Sequence, residues 1–148
     1  LSFAVDVNVL LYASDRASPF CSRAVAFLER CASDGETFCL AWTTLMSYLR
    51  LATHPAVFSR PLSPEEAAEN VEGLLGLDHV RVLSEEEGFW KIYREVTGDL
   101  PVRGNLVSDA HLASILRQHE VTTLYTNDRD FVRFAFLRVR NPFEGSKA

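Results

Sequence analysis

The stretch FAVDVNVLLYA, residues 3–13, decides how the rest of the chain is read. Phe3, Ala4 and Val5 form a short apolar run that stops at Asp6. After Asn8 the apolar character resumes through Val9, Leu10, Leu11, Tyr12 and Ala13. This pattern reads as a buried strand running into a helix, and it leaves Asp6 at the carboxyl end of the strand.

Working outward, the same alternation repeats. Phe20, Ala24, Phe27, Leu28 and Cys31 recur at helical spacing over residues 19–32, with Asp34-Gly35 as the stop. Residues 38–41 read as a second strand. Thr43 or Thr44 is the expected cap of a helix carrying Leu45, Tyr48, Leu49 and Ala52, which His54-Pro55 ends because a residue before proline resists the helical conformation. Two capping boxes are expected, Ser63 with Glu66 and Ser84 with Glu87, opening helices over 64–75 and 85–97. Residues 79–82 read as a strand and 98–105 as a loop. A helix over 106–119 carries Asp109 in its first turns, with Leu112, Ala113 and Leu116 on the same side. The β-branched and aromatic run 122–125 is a further strand, and 138–139 a last one. No repeat, linker or low-complexity segment interrupts the chain, so one domain over residues 1–148 is expected.

Strands alternating with helices at this spacing predict an α/β fold with a mainly parallel central sheet covered on both faces. In such folds the ligand crevice lies beyond the carboxyl ends of the strands. Asp6 and the pair Asp128 and Asp130 are placed there, and Asp109 sits at the start of a helix. Converging carboxylates repel one another and are tolerated with a cation between them or a shared proton. A hard divalent ion with oxygen ligands fits, and Mg2+ fits best because it binds through one or two carboxylates and keeps its waters. The chemistry this arrangement serves is displacement at phosphorus, with phosphodiester cleavage as the expected reaction. Each aspartate alone has a structural alternative as strand end, helix cap or turn former. Their combination points to a site.

The charge balance bounds the function further. Lys+Arg number 15 against Asp+Glu 20, a formal net of -5, which excludes a chain that coats nucleic acid or anionic membrane by bulk attraction. Residues 63–87 hold eight acids against Arg81 alone, a local -7, so the remainder of the chain carries +2, mostly as arginine around the acidic site. The acidic segment is expected to form a separate face turned away. Cys21, Cys31 and Cys39 are an odd number without a C-x-x-C pair, and read as small hydrophobes. No apolar run approaches the ~20 residues of a membrane span, and no signal peptide is evident; a cytoplasmic location without membrane association is expected.

Four segments in this order and spacing resemble the PIN-domain ribonucleases of the VapC toxin type: Val5-Asp6-Val7-Asn8-Val9-Leu10-Leu11-Tyr12-Ala13; the run from Trp42 that ends in Leu49-Arg50-Leu51-Ala52-Thr53-His54-Pro55; Ser108-Asp109-Ala110-His111-Leu112-Ala113; and Thr126-Asn127-Asp128-Arg129-Asp130-Phe131. The resemblance covers nearly the whole chain. It implies a PIN-like three-layer α/β/α sandwich and an endoribonuclease dependent on Mg2+, with Mn2+ as a substitute. The activity is directed at structured cellular RNA such as tRNA or rRNA, inhibits translation and growth, and is held in check by a VapB-type antitoxin. Carried over residue by residue, Asp6, Asp109, Asp128 and Asp130 form the catalytic cluster, with Asp6, Asp109 and Asp128 as metal ligands and Asp130 in support. Asn8, Thr126 and Ser47 support the site, while Arg50 and Arg129 contact RNA or antitoxin. Many family members have a glutamate three residues before the arginine matched by Arg50, where this chain has Ser47. One well-bound Mg2+ is therefore expected, with any second ion recruited by substrate phosphate.

Two other acidic-site enzymes fit less well. A D-x-D phosphatase needs a proton donor where Asn8 stands, and a receiver domain needs a strand-end lysine, whereas the only lysines are Lys91 and Lys147. The alternative from another class is a catalytically silent PIN-like module that binds RNA or protein. The histidines are read as structural, with His111, two residues beyond Asp109 on a helix, pointing away from it. Apolar positions spread widely around residues 16–32 and 42–53, the region that in the resembled family receives the antitoxin. A toxin homodimer is the expected assembly unit.

Overall fold

The structure, a computed structural model, describes residues 1–144. In chain order its elements are β1 (Ser2–Val5), α1 (Val7–Ser14), α2 (Cys21–Ser33), β2 (Thr37–Ala41), α3 (Trp42–Ala52), α4 (Pro64–Leu75), β3 (Val80–Leu83), α5 (Phe89–Thr97), α6 (Asn105–Gln118), β4 (Thr123–Tyr125), a 3-10 helix (Arg129–Arg133) and β5 (Arg138–Arg140). The strands form one sheet in the order β3-β2-β1-β4-β5, and every pairing is parallel. The chain lays down β1, β2 and β3 in one direction and then returns to place β4 on the other side of β1. That reversal opens a crevice at the carboxyl ends of β1 and β4.

Alternation along each strand divides the core. Phe3, Val5, Phe38 and Leu40 face a layer built from α1 to α4. Ala4, Cys39, Ala41 and Leu124 face α6, with α5 packed alongside. The sandwich is thus three layers, α/β/α, as expected. The residue sizes differ between the faces: large side chains meet α1 to α4, while three of the four on the opposite face are small. α6 answers with Ala110, Ala113 and Ser114, all fully buried. Small residues on both sides let the helix lie close to the sheet, which carries Asp109 toward the strand ends.

Several local readings hold. α4 starts with a complete capping box: Glu66 N–H donates to Ser63 Oγ and Ser63 N–H to Glu66 Oε1, both at 3.1 Å, and Pro64 opens the helix. Ser63→Ala is expected to destabilise the protein by about 1 kcal/mol, read as a fall of roughly 2–4 °C in Tm. The cysteines are free. Burial pushes the Cys31 thiol up to about 12 and raises that of Cys39, consistent with inert packing residues.

Other readings need correction. α3 is capped by neither threonine: the cap position is Ala41, without a side-chain bond, and Thr44 is buried in the first turn. Ser84 and Glu87 form no capping box. α5 starts four residues later than expected, after Gly88 at φ +82°, a left-handed conformation that suits glycine. The preceding turn is held from α6 instead. Gln118 accepts from Glu86 N–H at 2.9 Å and donates to the carbonyls of Glu86 and Glu87, and the His119 ring bonds the Ser84 carbonyl. Tertiary hydrogen bonds to the Glu86 N–H and to the Ser84, Glu86 and Glu87 carbonyls hold this turn, in a form that differs from the expected box.

Candidate metal centre

Asp6 occupies the end of β1 and caps α1. Its backbone N–H completes the ladder to the Tyr125 carbonyl at 3.0 Å. Its carboxylate accepts from Val7 N–H at 2.8 Å and from Thr126 Oγ1 at 2.9 Å. Only 8% of Asp6 is exposed. Burial raises its pKa, the bonds from Thr126 and Val7 oppose that rise, and the Asp128 charge adds to it.

Thr126 joins the two central strands. Besides donating to Asp6, its hydroxyl accepts from Asn8 Nδ2 at 3.1 Å and from Asp128 N–H at 2.9 Å. Asn8 also accepts from Asn127 N–H, so its amide serves as a bracket between α1 and the loop after β4. Asn127 continues the network, donating to the Tyr12 hydroxyl and accepting from Asn141. Asp128 then caps the 3-10 helix by accepting from Asp130 N–H at 2.9 Å.

Asp109 reaches this loop from α6. One carboxylate oxygen from each of Asp109, Asp128 and Asp130 lies within 4.8 Å of the others. Asp6 is outside that tight set, and each of its oxygens, which accepts a hydrogen bond, keeps a further lone pair. Burial first, then the charges of Asp128, Asp6 and Asp130, push the Asp109 carboxyl up to about 6, with Arg133 opposing. Three converging oxygen donors and a carboxyl raised by burial and like charge suit a hard divalent cation, which would offset the repulsion. The donor set contains no thiolate.

A cavity of about 130 Å3 beside the cluster is lined by Asp6, Thr44, Ser47, Asp109, His111 and Phe131, among others. Ser47 lines this cavity from α3. His111 corrects its reading: it lines this cavity instead of pointing away. Its Nε2 pairs with Glu85, and its ring meets Phe89 edge-on at 5.6 Å. The His111 bond holds Glu85 below the usual carboxylate range. Glu85 belongs to the acidic segment expected to turn away, so that segment is not one separate face. Their pairing carried no sequence signal, since it joins residues 26 apart across the turn held by Gln118. Arg129 adjoins Asp128 and is exposed, 3.8 Å from Glu144. Arg50, in the last turn of α3, is exposed and does not line the cavity.

The parallel sheet with carboxylates gathered at the β1–β4 crevice defines the class: the PIN domain profile matches residues 3–137, and the chain belongs to that family. Within the family the similarity is to VapC ribonucleases. The chain is 43% identical to Ribonuclease VapC48 of Mycobacterium tuberculosis over 145 residues, 98% of this chain and 100% of the relative. It is 36% identical to Ribonuclease VapC43 of the same organism over 141 residues, 95% of each chain. Solved structures share the fold. VapBC2 from Rickettsia felis, bound to a DNA fragment from its promoter, superposes with a TM-score of 0.67 at 19% identity, covering 95% of this chain and 98% of the other. Mycobacterium tuberculosis VapC20, a sarcin-ricin loop cleaving toxin, gives 0.66 at 16% identity, covering 93% and 98%. The resemblance read from the sequence motifs is borne out. No helix among the described residues is long and apolar enough to cross a membrane.

Proposed function

We propose that this chain is the toxin of a type II toxin–antitoxin pair, an endoribonuclease that uses Mg2+, or Mn2+ in its place, to cleave structured cellular RNA of the tRNA or rRNA class in the cytoplasm. The observation that carries the reading is the convergence of Asp109, Asp128 and Asp130 beside buried Asp6 in a PIN domain. Asp109, Asp128 and Asp130 would hold the ion, with Asp6, which lines the same cavity as Asp109, adding charge beside them. A bound divalent ion supplies charge neutralisation at the phosphate and activation of water for in-line attack. The chain's own residues do the positioning. Thr126 ties Asp6 to the backbone of Asp128, and Asn8 fixes the loop. The apolar walls from Leu112 and Phe131 exclude bulk water from one side of the cavity. Ser47 supplies no charge, which supports a single tightly held ion.

The partner expected is a VapB-type antitoxin, and a homodimer of this chain is the expected assembly unit. Val25 on α2 and Trp42 and Met46 on α3 are exposed large hydrophobics, which suits an amphipathic segment laid across these helices.

Purified protein incubated with total cellular RNA is expected to yield discrete fragments with Mg2+ or Mn2+, to lose them with a chelator, and to regain them when the ion is restored. RNA binding without cleavage under every divalent ion would favour the silent binding module, for which Ser47 is the supporting feature.

A further inference from the structure

Between residues 129 and 140 the chain carries Arg129, Arg133, Arg138 and Arg140 against one carboxylate, Asp130. All four arginines are exposed. β5 is an edge strand, and its Val139 packs into the α5–α6 layer, so Arg138 and Arg140 share the opposite face. The register sets their height. Arg140 stands opposite Tyr125 and its carbonyl accepts from Thr126 N–H at 2.9 Å, level with the loop that bears Asp128. Arg138, opposite Thr123, lies roughly 6–7 Å further down the edge. Arg133 is 3.8 Å from Asp130 and Arg129 3.8 Å from Glu144. Arg138 and Arg140 have no ion-pair partner among the described residues. A groove of about 470 Å3 lined by Asp128, Arg129, Val132, Val139, Asn141 and Glu144 lies on the Val139 side of this rim, and neither Arg138 nor Arg140 lines it.

Charged side chains on an edge strand have a general role in discouraging edge-to-edge association. β5, at three residues, is already blunted by its length and needs little such help. The basic run is also continuous with the acidic loop, since Arg140 pairs with Tyr125 and its carbonyl accepts from Thr126 N–H, two residues before Asp128. A phosphodiester approaching four carboxylates is repelled unless cations beside the cleft offset them, and guanidinium forks match phosphate geometry.

We propose that Arg138 and Arg140, on the face of β5 turned away from Val139, continue from Arg129 as a backbone track for a single-stranded segment of the RNA, holding the phosphates on the β5 side of the scissile bond. This inference rests on the ribonuclease reading above. The track recognises phosphate, so it contributes affinity and register with little base preference.

The test is a salt titration of binding to a fluorescein-labelled single-stranded RNA of about 12 nucleotides, using the full chain in the Asp109→Asn background to suppress cleavage. Each phosphate contact on a single strand contributes about 0.7 to the slope of log K against log salt. Arg138→Ala/Arg140→Ala is expected to flatten that slope by roughly 1.4 and to weaken binding by ~10-fold or more at about 50 mM salt. Arg138→Lys/Arg140→Lys, which keeps charge and strand packing, is expected to retain most of the slope. Unchanged slope and affinity in the alanine variant, while the unsubstituted chain still cuts RNA, would overturn the track and leave the nuclease intact. If the unsubstituted chain neither binds nor cuts RNA, the nuclease reading and the track fall together.

Discussion

Asp109→Asn is expected to reduce divalent-ion-dependent RNA cleavage by more than ~100-fold, since even partners that only orient metal ligands are worth 10–100-fold in such sites. The same substitution is expected to stabilise the metal-free protein. In the folded state the Asp109 carboxyl is pushed up to about 6, first by burial and then by Asp128, Asp6 and Asp130. In the unfolded chain it titrates near the usual value of about 3.9. The folded state therefore binds this proton more tightly. The stability it confers is fully present below about pH 4 and is lost as pH rises through about 6. Asparagine mimics the protonated form at every pH. Without divalent ions, the Tm of the variant should match wild type near pH 4, pull ahead between pH 4 and 6, and keep a constant lead above that. Saturating Mg2+ should erase or reverse the lead, because a ligand that binds only the folded state stabilises the chain that binds it better. A metal-free lead that is absent at pH 7 would overturn the raised Asp109 carboxyl, and a variant that cuts RNA at the wild-type rate would falsify the assignment of Asp109 to the ion.

Thr126→Val is expected to be the most damaging change of a single side-chain atom. The hydroxyl is buried, at 2% residue exposure, and makes three bonds: to Asp6 Oδ2, from Asn8 Nδ2 and from Asp128 N–H. Valine fills nearly the same volume, so the loss is polar. Asp6 Oδ2 keeps only a long contact to Asn8 at 3.5 Å, and the Asp128 N–H loses its acceptor. Unsatisfied buried groups cost about 1–3 kcal/mol each, which puts the destabilisation at about 2–4 kcal/mol. Thermal unfolding should fall by roughly 5–15 °C. Removing the Thr126 bond also removes the main opposition to the burial-driven rise of the Asp6 pKa. The variant's deficit should therefore shrink as pH falls and Asp6 becomes protonated in both proteins. Cleavage should drop by ~10–100-fold, and Thr126→Ser, which restores the hydroxyl, should recover most of it. Equal activity in the valine and serine variants would show that the hydroxyl does not organise the cluster.

What the sequence alone determined is whatever acts over a few residues. The βα alternation, the position of Asp6 at a strand end, the Ser63–Glu66 capping box and the absence of a cysteine framework are all local, set by side-chain periodicity or by hydrogen bonds spanning three or four positions. The motifs around Asp6, Asp109 and Asp128 also carried the family. The same local rule misled at Ser84 and Glu87, where the expected spacing is present but Gln118 and His119 shape the turn through other backbone groups and the helix starts after Gly88.

Only the tertiary structure decided which acids meet and how they are held. The bond between Thr126 and Asp6 joins residues 120 apart in the chain. It exists because β4 pairs directly with β1 after the chain has laid down β2 and β3 on the far side. That strand order brings Asp130 into the tight set with Asp109 and Asp128, sets Asp6 on one cavity with Asp109, and carries His111 to the same cavity on a contact with Glu85. Charge repulsion and desolvation depend on distance through space. The Asp109 carboxyl becomes an unusual one only when packing has set those distances.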